Sequence, residues 1–279
     1  MSAINATVWH GIRPQIRGTM LLRPRPSRGF SLVEVLVVIA VISVLAGLVM
    51  AAVNRSRGVA RSVVCHNNLR QLGIAVQVYA NAYEGHFPPL GYADTQPTAY
   101  WWGTNDDPPD YSEGFLTPYV EAAGNDGDVY QCPEQAPGSY KPEGIGGAIT
   151  TTYGYNGYFL CPPAAPGWNV SIGQKPWQTF HEIVNPSEVF MFGDSLLSWG
   201  KDGVTNTSFL DPPFLYTRGR WQPNGSPTTC FRHAGLANFC FVDGHVASLP
   251  PTKLTSPEHN IGHVGESNSP HYVPDGAGW

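Results

Sequence analysis

Between Val35 and Val53 nineteen consecutive residues carry no charge and are nearly all Val, Ile, Leu, Ala, Gly or Met. That is about the length a helix needs to cross a bilayer core of roughly 30 Å. The pattern then changes. Cys65, Leu69, Leu72, Val76, Tyr79 and Tyr83 are spaced 4, 3, 4, 3 and 4, which lines them along one face of a helix, with Asn67, Arg70, Gln71 and Gln77 mostly off it. No proline interrupts residues 30–83, so the two runs can form one rod of about 80 Å, ended by Gly85 and Pro88-Pro89. Gly47, Gly58 and Gly73 weaken it locally. The apolar face calls for a sheet or another helix to cover it, although an independent amphipathic helix beside a simple anchor has the same periodicity.

Beyond this point the pattern shortens. Residues 90–128 are rich in proline, glycine and acids and read as irregular, apart from a short helix around Glu113 to Ala122. Val129 to Cys132 predicts a short strand ending at Pro133, Thr151 to Leu160 an aromatic strand, and Glu188 to Asp194 a buried strand ending in an acid. Asp243-Gly244, between NFCFV and HVASL, predicts a two-residue hairpin, because a type I′ turn needs positive φ at both centres and Asp-Gly tolerates it. In that register Val242 faces His245, Phe241 faces Val246 and Phe239 faces Ser248. A strand from Thr229 to His233 that turns back through Ala234 to Ala237 would complete a three-stranded meander. Pro250 to Trp279 is polar and reads as a mobile extension. The predicted class is α+β: a long N-terminal helix packed on an antiparallel sheet with long irregular loops.

Composition narrows the function classes. Charged residues are 13% of the 279, about half the usual share, and the 31 Gly and 26 Pro indicate a loop-rich surface module. The net charge of −5, without a basic run in the soluble part, argues against a nucleic-acid partner. Five cysteines in a segment placed outside the cytoplasm could form two disulfides. Cys65 with Cys132 is the preferred pair and Cys132 with Cys161 the alternative. Cys230 and Cys240 sit diagonally in the predicted meander, where Phe231 faces Cys240.

One residue breaks the apolar run. Glu34 lies a turn inside it, at an insertion cost of up to ~3 kcal/mol, and needs a partner. Before it stand Arg13, Arg17, Arg23, Arg25 and Arg28 with no acid among them, then Gly29 and Phe30, so that Glu34 is the fifth residue counted from Phe30. This arrangement resembles the type IV prepilin signal. The resemblance implies cleavage after Gly29 by a prepilin peptidase that also methylates the new amino terminus at Phe30, with Glu34 neutralising the amine of a neighbouring subunit. A cleaved secretory signal fits less well, since no small-residue site follows the apolar run. Translation from Met20 would give the ten-residue leader MLLRPRPSRG, and Met1 and Met20 both stay open as the start.

The resemblance extends along the chain. His233, nine residues, then Asp243-Gly244 is similar to the C-terminal signature of a large group of prepilin-like proteins with an H-x9-D-G domain. Cys-x-Asn-Asn-Leu-Arg-Gln-Leu at Cys65 to Leu72, Tyr-x-Cys-Pro at Tyr130 to Pro133 and Tyr-Gly-Tyr-Asn at Tyr153 to Asn156 fit the same group. It implies a pilin-like fold divided into a leader (1–29), a transmembrane helix (30–53), its amphipathic continuation (54–85), an extracytoplasmic domain with the H-x9-D-G hairpin (86–249) and a polar tail (250–279). The implied role is a structural subunit and not an enzyme: a single-pass inner-membrane protein, leader cytoplasmic, assembled through its helix with other pilin or pseudopilin subunits into a type IV pilus or type II secretion pseudopilus. Its partners would be the prepilin peptidase/N-methyltransferase, those subunits and membrane lipid.

The rival class is a membrane-tethered ligand- or metal-binding domain that does not polymerise. For it, His233 and Asp243 would form a metal or acid/base site with Asp194 and His245 nearby, Asp194 and Asp243 being the metal candidates. No nucleophile or complete ligand set accompanies them, which favours a structural His233 bonded across the meander and an Asp243 kept for its turn. No cofactor is implied. Asp94, Asp106, Asp107, Asp110, Asp126 and Asp128 could gather calcium through carboxylate oxygens, but without EF-hand spacing. His181-Glu182 lacks the second His of a zinc-protease helix, and Gly144 to Ile149 lacks the order of a phosphate loop.

Overall fold

The computed structural model describes residues 29–92, 99–104, 110–120, 129–135, 151–162, 177–200, 203–217 and 219–275. Two units divide between Ala51 and Ala52. In the first, helix α1 (Leu32–Ala82) begins with a reciprocal cap. Ser31 Oγ accepts from Val33 N–H at 3.3 Å, and Ser31 N–H donates to Glu34 Oε2 at 2.8 Å, the Ser-x-x-Glu arrangement that satisfies free amides of a first turn. The side chains that follow are apolar all round and exposed. Among the described residues this is the one helix long and apolar enough to cross a membrane.

The second unit, Ala52–Trp279, takes in the rest of α1. Cys65, Leu69, Leu72, Ala75, Val76 and Tyr79 are buried there, as their spacing predicts, while Tyr83 lies beyond the last turn and is half exposed. The turn closes with Gly85 N–H donating to Ala80 O at 2.8 Å and Glu84 in the left-handed region, φ 54°, a Schellman-type ending. The face packs on a four-stranded antiparallel sheet ordered Val246–Leu249, Ala237–Phe241, Phe190–Asp194, Tyr153–Tyr155. A Cβ on Gly73 would lie 2.7 Å from Cys240 Sγ and 3.3 Å from Met191 Cε, so helix and sheet touch there backbone to side chain. Beyond the sheet an aromatic core includes Trp101, whose ring centroid is 5.0 Å from that of Phe192, and Phe190 stacked on Phe239 at 4.0 Å. Trp101 and Trp102 are fully buried.

Several expectations are corrected. The hairpin is one residue out of the predicted register: Cys240 pairs with Val246 and Phe239 with Ala247. Gly244 N–H donates to Phe241 O, and of the turn residues Gly244 alone has positive φ, at 89°. This is a three-residue loop with a Gly bulge and not a type I′ turn. The meander is absent, because Thr229–Cys230 pairs with Ile261–His263 in a separate sheet and Ala237–Phe241 instead borders Phe190–Asp194. Residues 250–275 are not a mobile tail: Lys253–Ser256 and Ile261–His263 form strands, and Ile261, Val264, Tyr272 and Val273 are buried. Val129 to Cys132 forms turns, Thr151 to Leu160 is a short strand followed by the helical turn Gly157–Leu160, and the helix around Glu113 becomes 3-10 turns at Tyr111–Glu113 and Thr117–Tyr119. None of the five cysteines is in a disulfide.

Candidate metal centre

His233 owes its position to a tight turn. Ala234 (φ 52°) and Gly235 (φ 86°) both take positive φ, and His233 and Leu236 exchange N–H to carbonyl bonds at 3.0 Å. The strand Ala237–Phe241 then crosses the sheet and delivers Asp243-Gly244 to its far end, so the nine-residue spacing measures one strand crossing. His233 and Asp243 are therefore not brought together. Exposed Asp243 caps its own turn, accepting from His245 N–H at 3.0 Å and lying 2.6 Å from His245 Nδ1. Gly244 sits against α1, where a Cβ would be 3.1 Å from Gln77 Nε2.

The imidazole of His233 points into the core. Its Nε2 is 3.2 Å from Cys65 Sγ on α1, 3.4 Å from Cys132 Sγ and 3.2 Å from Asp194 Oδ2 at the end of the central strand. Cys65 Sγ is 3.4 Å from Asp194 Oδ1. All four residues are buried, and one ligand atom from each lies within 4.8 Å of the others. Asn238 N–H donates to Asp194 Oδ2 at 2.7 Å, Tyr153 O–H to Cys65 Sγ at 3.2 Å, and Asn68 Nδ2 to Gln131 O at 3.0 Å. The four stretches that fit the H-x9-D-G group thus meet here: Cys65, Cys132 and His233 in the cluster, with Asn68 and Tyr153 beside it.

Electrostatics follow from burial and charge. Arg232, whose side chain is only 7% exposed, has its Nε 3.9 Å from Asp194 Oδ1 and donates to Gln135 Oε1, Ser195 O and Thr152 O. Burial opposes a charge on His233, but its contacts with Asp194 and Cys132 outweigh this and raise it to about 9. Burial likewise opposes ionisation of Cys132, yet the bonds from Cys65 and His233 bring it down to about 6. Cys65 is pushed well up by burial, by its bond with Cys132 and by Asp194.

Of the residues singled out from sequence, Asp194 and His233 are in the cluster, and Asp243 and His245 are outside it. Cys65 and Cys132, expected as a disulfide, are adjacent as free thiols. Cys161 is elsewhere, accepting from Leu90 N–H at 3.1 Å. Of the acids considered for calcium, Asp110 is exposed and holds Ser112 N–H at 2.8 Å, and the others lie outside the described residues, as does Gly144 to Ile149. Glu182 completes a capping box on Thr179. Sequence reasoning did not find Arg232 or the grouping of Cys65 and Cys132 with His233. The available signal was a potential ligand in three separate motif stretches.

Two family models match the chain. Residues 24–50 match the prokaryotic N-terminal methylation motif, which with the exposed apolar helix behind it supports a pilin-like, membrane-anchored protein. Residues 54–125 match the protein of unknown function (DUF1559) family, and the two matches together fit a prepilin-like protein with the H-x9-DG-type domain. No curated protein matches the chain, and no solved structure does.

Proposed function

We propose that the protein is a pilin-like structural subunit, cut between Gly29 and Phe30 by prepilin peptidase, methylated at Phe30, held in the inner membrane with its C-terminal unit outside the cytoplasm, and assembled through α1 into a type IV pilus or type II secretion pseudopilus. The observation that carries this reading is the register of Gly29, Phe30 and Glu34 inside the matched methylation motif. In support, the apolar half of α1 has side chains exposed all round, with Leu48 68% exposed, a surface that only lipid or other apolar helices can cover. The role is read as assembly and not catalysis on the strength of that register.

Glu34 separates this reading from a tethered domain that stays monomeric. Gln fits the third position of the cap as well as Glu does, so Glu34→Gln keeps the bond to Ser31 N–H and removes only the charge. An uncompensated amine in a partly desolvated site costs on the order of 3 kcal/mol. Cross-linking of membrane-embedded protein at matched expression should therefore show self-association of the variant weakened roughly a hundredfold. Equal yields would sink the assembly reading.

A further inference from the structure

We propose that Cys65 Sγ, Cys132 Sγ, the Asp194 carboxylate and His233 Nε2 are the four ligands of a structural zinc ion that fastens helix α1 to the sheet. Geometry carries the assignment. A tetrahedral zinc with arms of roughly 2.0 to 2.3 Å has ligand atoms roughly 3.3 to 3.8 Å apart. His233 Nε2 stands 3.2 Å from Cys65 Sγ, 3.4 Å from Cys132 Sγ and 3.2 Å from Asp194 Oδ2, at or just below the short edge of that range, and one ligand atom from each of the four residues lies within 4.8 Å of the others. Hydrogen bonding alone serves the group poorly. His233 Nε2 faces two sulfurs and a carboxylate oxygen at once, and a single ring N–H serves one of them well. A central cation satisfies all of them.

Charge and softness select the ion. Two thiolates and one carboxylate carry three negative charges, and Zn²⁺ leaves one over, which the buried guanidinium of Arg232 beside Asp194 balances. Two thiolates with an imidazole suit zinc and do not suit calcium or magnesium, which take oxygen ligands. All four ligands come from the protein and all are buried, as in zinc sites that serve folding and not hydrolysis. An outer shell is present in Asn238 N–H on Asp194 and Tyr153 O–H on Cys65. His233 Nδ1 and Glu134 Oε2 are both buried without partners among the described residues, and both residues border one cavity of about 500 Å³.

The four ligands lie far apart in sequence: on α1, in the turn after Val129, at the end of the central strand, and at the start of the H-x9-D-G segment. An ion among them cross-links helix, loop and sheet, which gives the His of that signature a role its Asp does not share. Nothing in this depends on processing at Gly29, so either claim can fail alone.

The test uses full-length protein extracted in detergent without chelator. Elemental analysis should find about one zinc per chain, and cobalt exchanged for zinc should show the visible bands of tetrahedral thiolate-bound Co²⁺. His233→Ala and the double variant Cys65→Ser with Cys132→Ser should weaken zinc binding at least roughly tenfold and change or abolish the cobalt bands. Cys161→Ala, which alters a buried thiol outside the cluster, should leave both readouts unchanged and shows that loss of a core sulfur is not itself the cause. Zinc retained by the double variant, or wild type that is metal-free with a Cys65–Cys132 disulfide on non-reducing peptide mapping, overturns the proposal.

Discussion

Replacing Gly73 by Ala sets two effects of opposite sign against each other. In an isolated helix the change is stabilising by about 1 kcal/mol. Here the new methyl would stand 2.7 Å from Cys240 Sγ and 3.3 Å from Met191 Cε. The methionine tail can swing aside, but Cys240 is fully buried on a central strand paired on both sides, so helix and sheet must separate. Overpacking of this kind costs about 1 to 3 kcal/mol, and the net expectation is a loss of about 1 kcal/mol. Cys240→Ala alone should cost about 1 kcal/mol by leaving a small cavity. Combined, the two should recover most of the loss, since the added methyl takes the space the sulfur vacates, with a coupling of about 1 to 2 kcal/mol. Urea unfolding of the detergent-extracted protein, followed by the fluorescence of buried Trp101 and Trp102, measures all four corners of the cycle. A stabilised Gly73→Ala, or additive single changes, would refute the seating of the helix on the sheet at this residue.

Two further outcomes test other parts of the account. Burial raises Asp211 to about 7, and its Oδ1 has no partner among the described residues. Stability is therefore highest while the carboxyl is protonated in both states, below about 4, and is lost as pH rises through about 7. Asp211 is partly exposed, so Asp211→Asn should gain only about 1 to 2 kcal/mol at pH 8 and nothing at pH 3.5, and an equal gain at both would contradict the assignment. Replacing Gly29 with Phe should leave the precursor uncut on a gel, whereas unchanged processing would place the cleavage site elsewhere.

The helical half of the fold was legible because its signal is local. The 4, 3, 4, 3 spacing from Cys65 to Tyr79 reports a buried face directly, and nineteen uncharged residues report an apolar span. The strand Phe190–Asp194 was legible for the same reason. Register and sheet membership were not, because they are set by partners far away in sequence. Asp243-Gly244 has the composition of a two-residue turn, yet only Gly244 takes positive φ, and the left-handed pair falls at Ala234 and Gly235 instead. The last 30 residues look polar on average, while four apolar side chains among them, Ile261, Val264, Tyr272 and Val273, hold the segment against the core. Asp194 and His233 could be named singly as candidates. Their meeting with Cys65 and Cys132 depends on how a helix, a turn and a strand cross, which no spacing in the chain encodes.

The most direct test of the central claim is the mass of the N-terminal peptide of protein extracted from its native membrane. The account expects a chain that begins at Phe30 with one methyl group on its amine. A mature chain that keeps the leader, or one that begins beyond Val53, would contradict it.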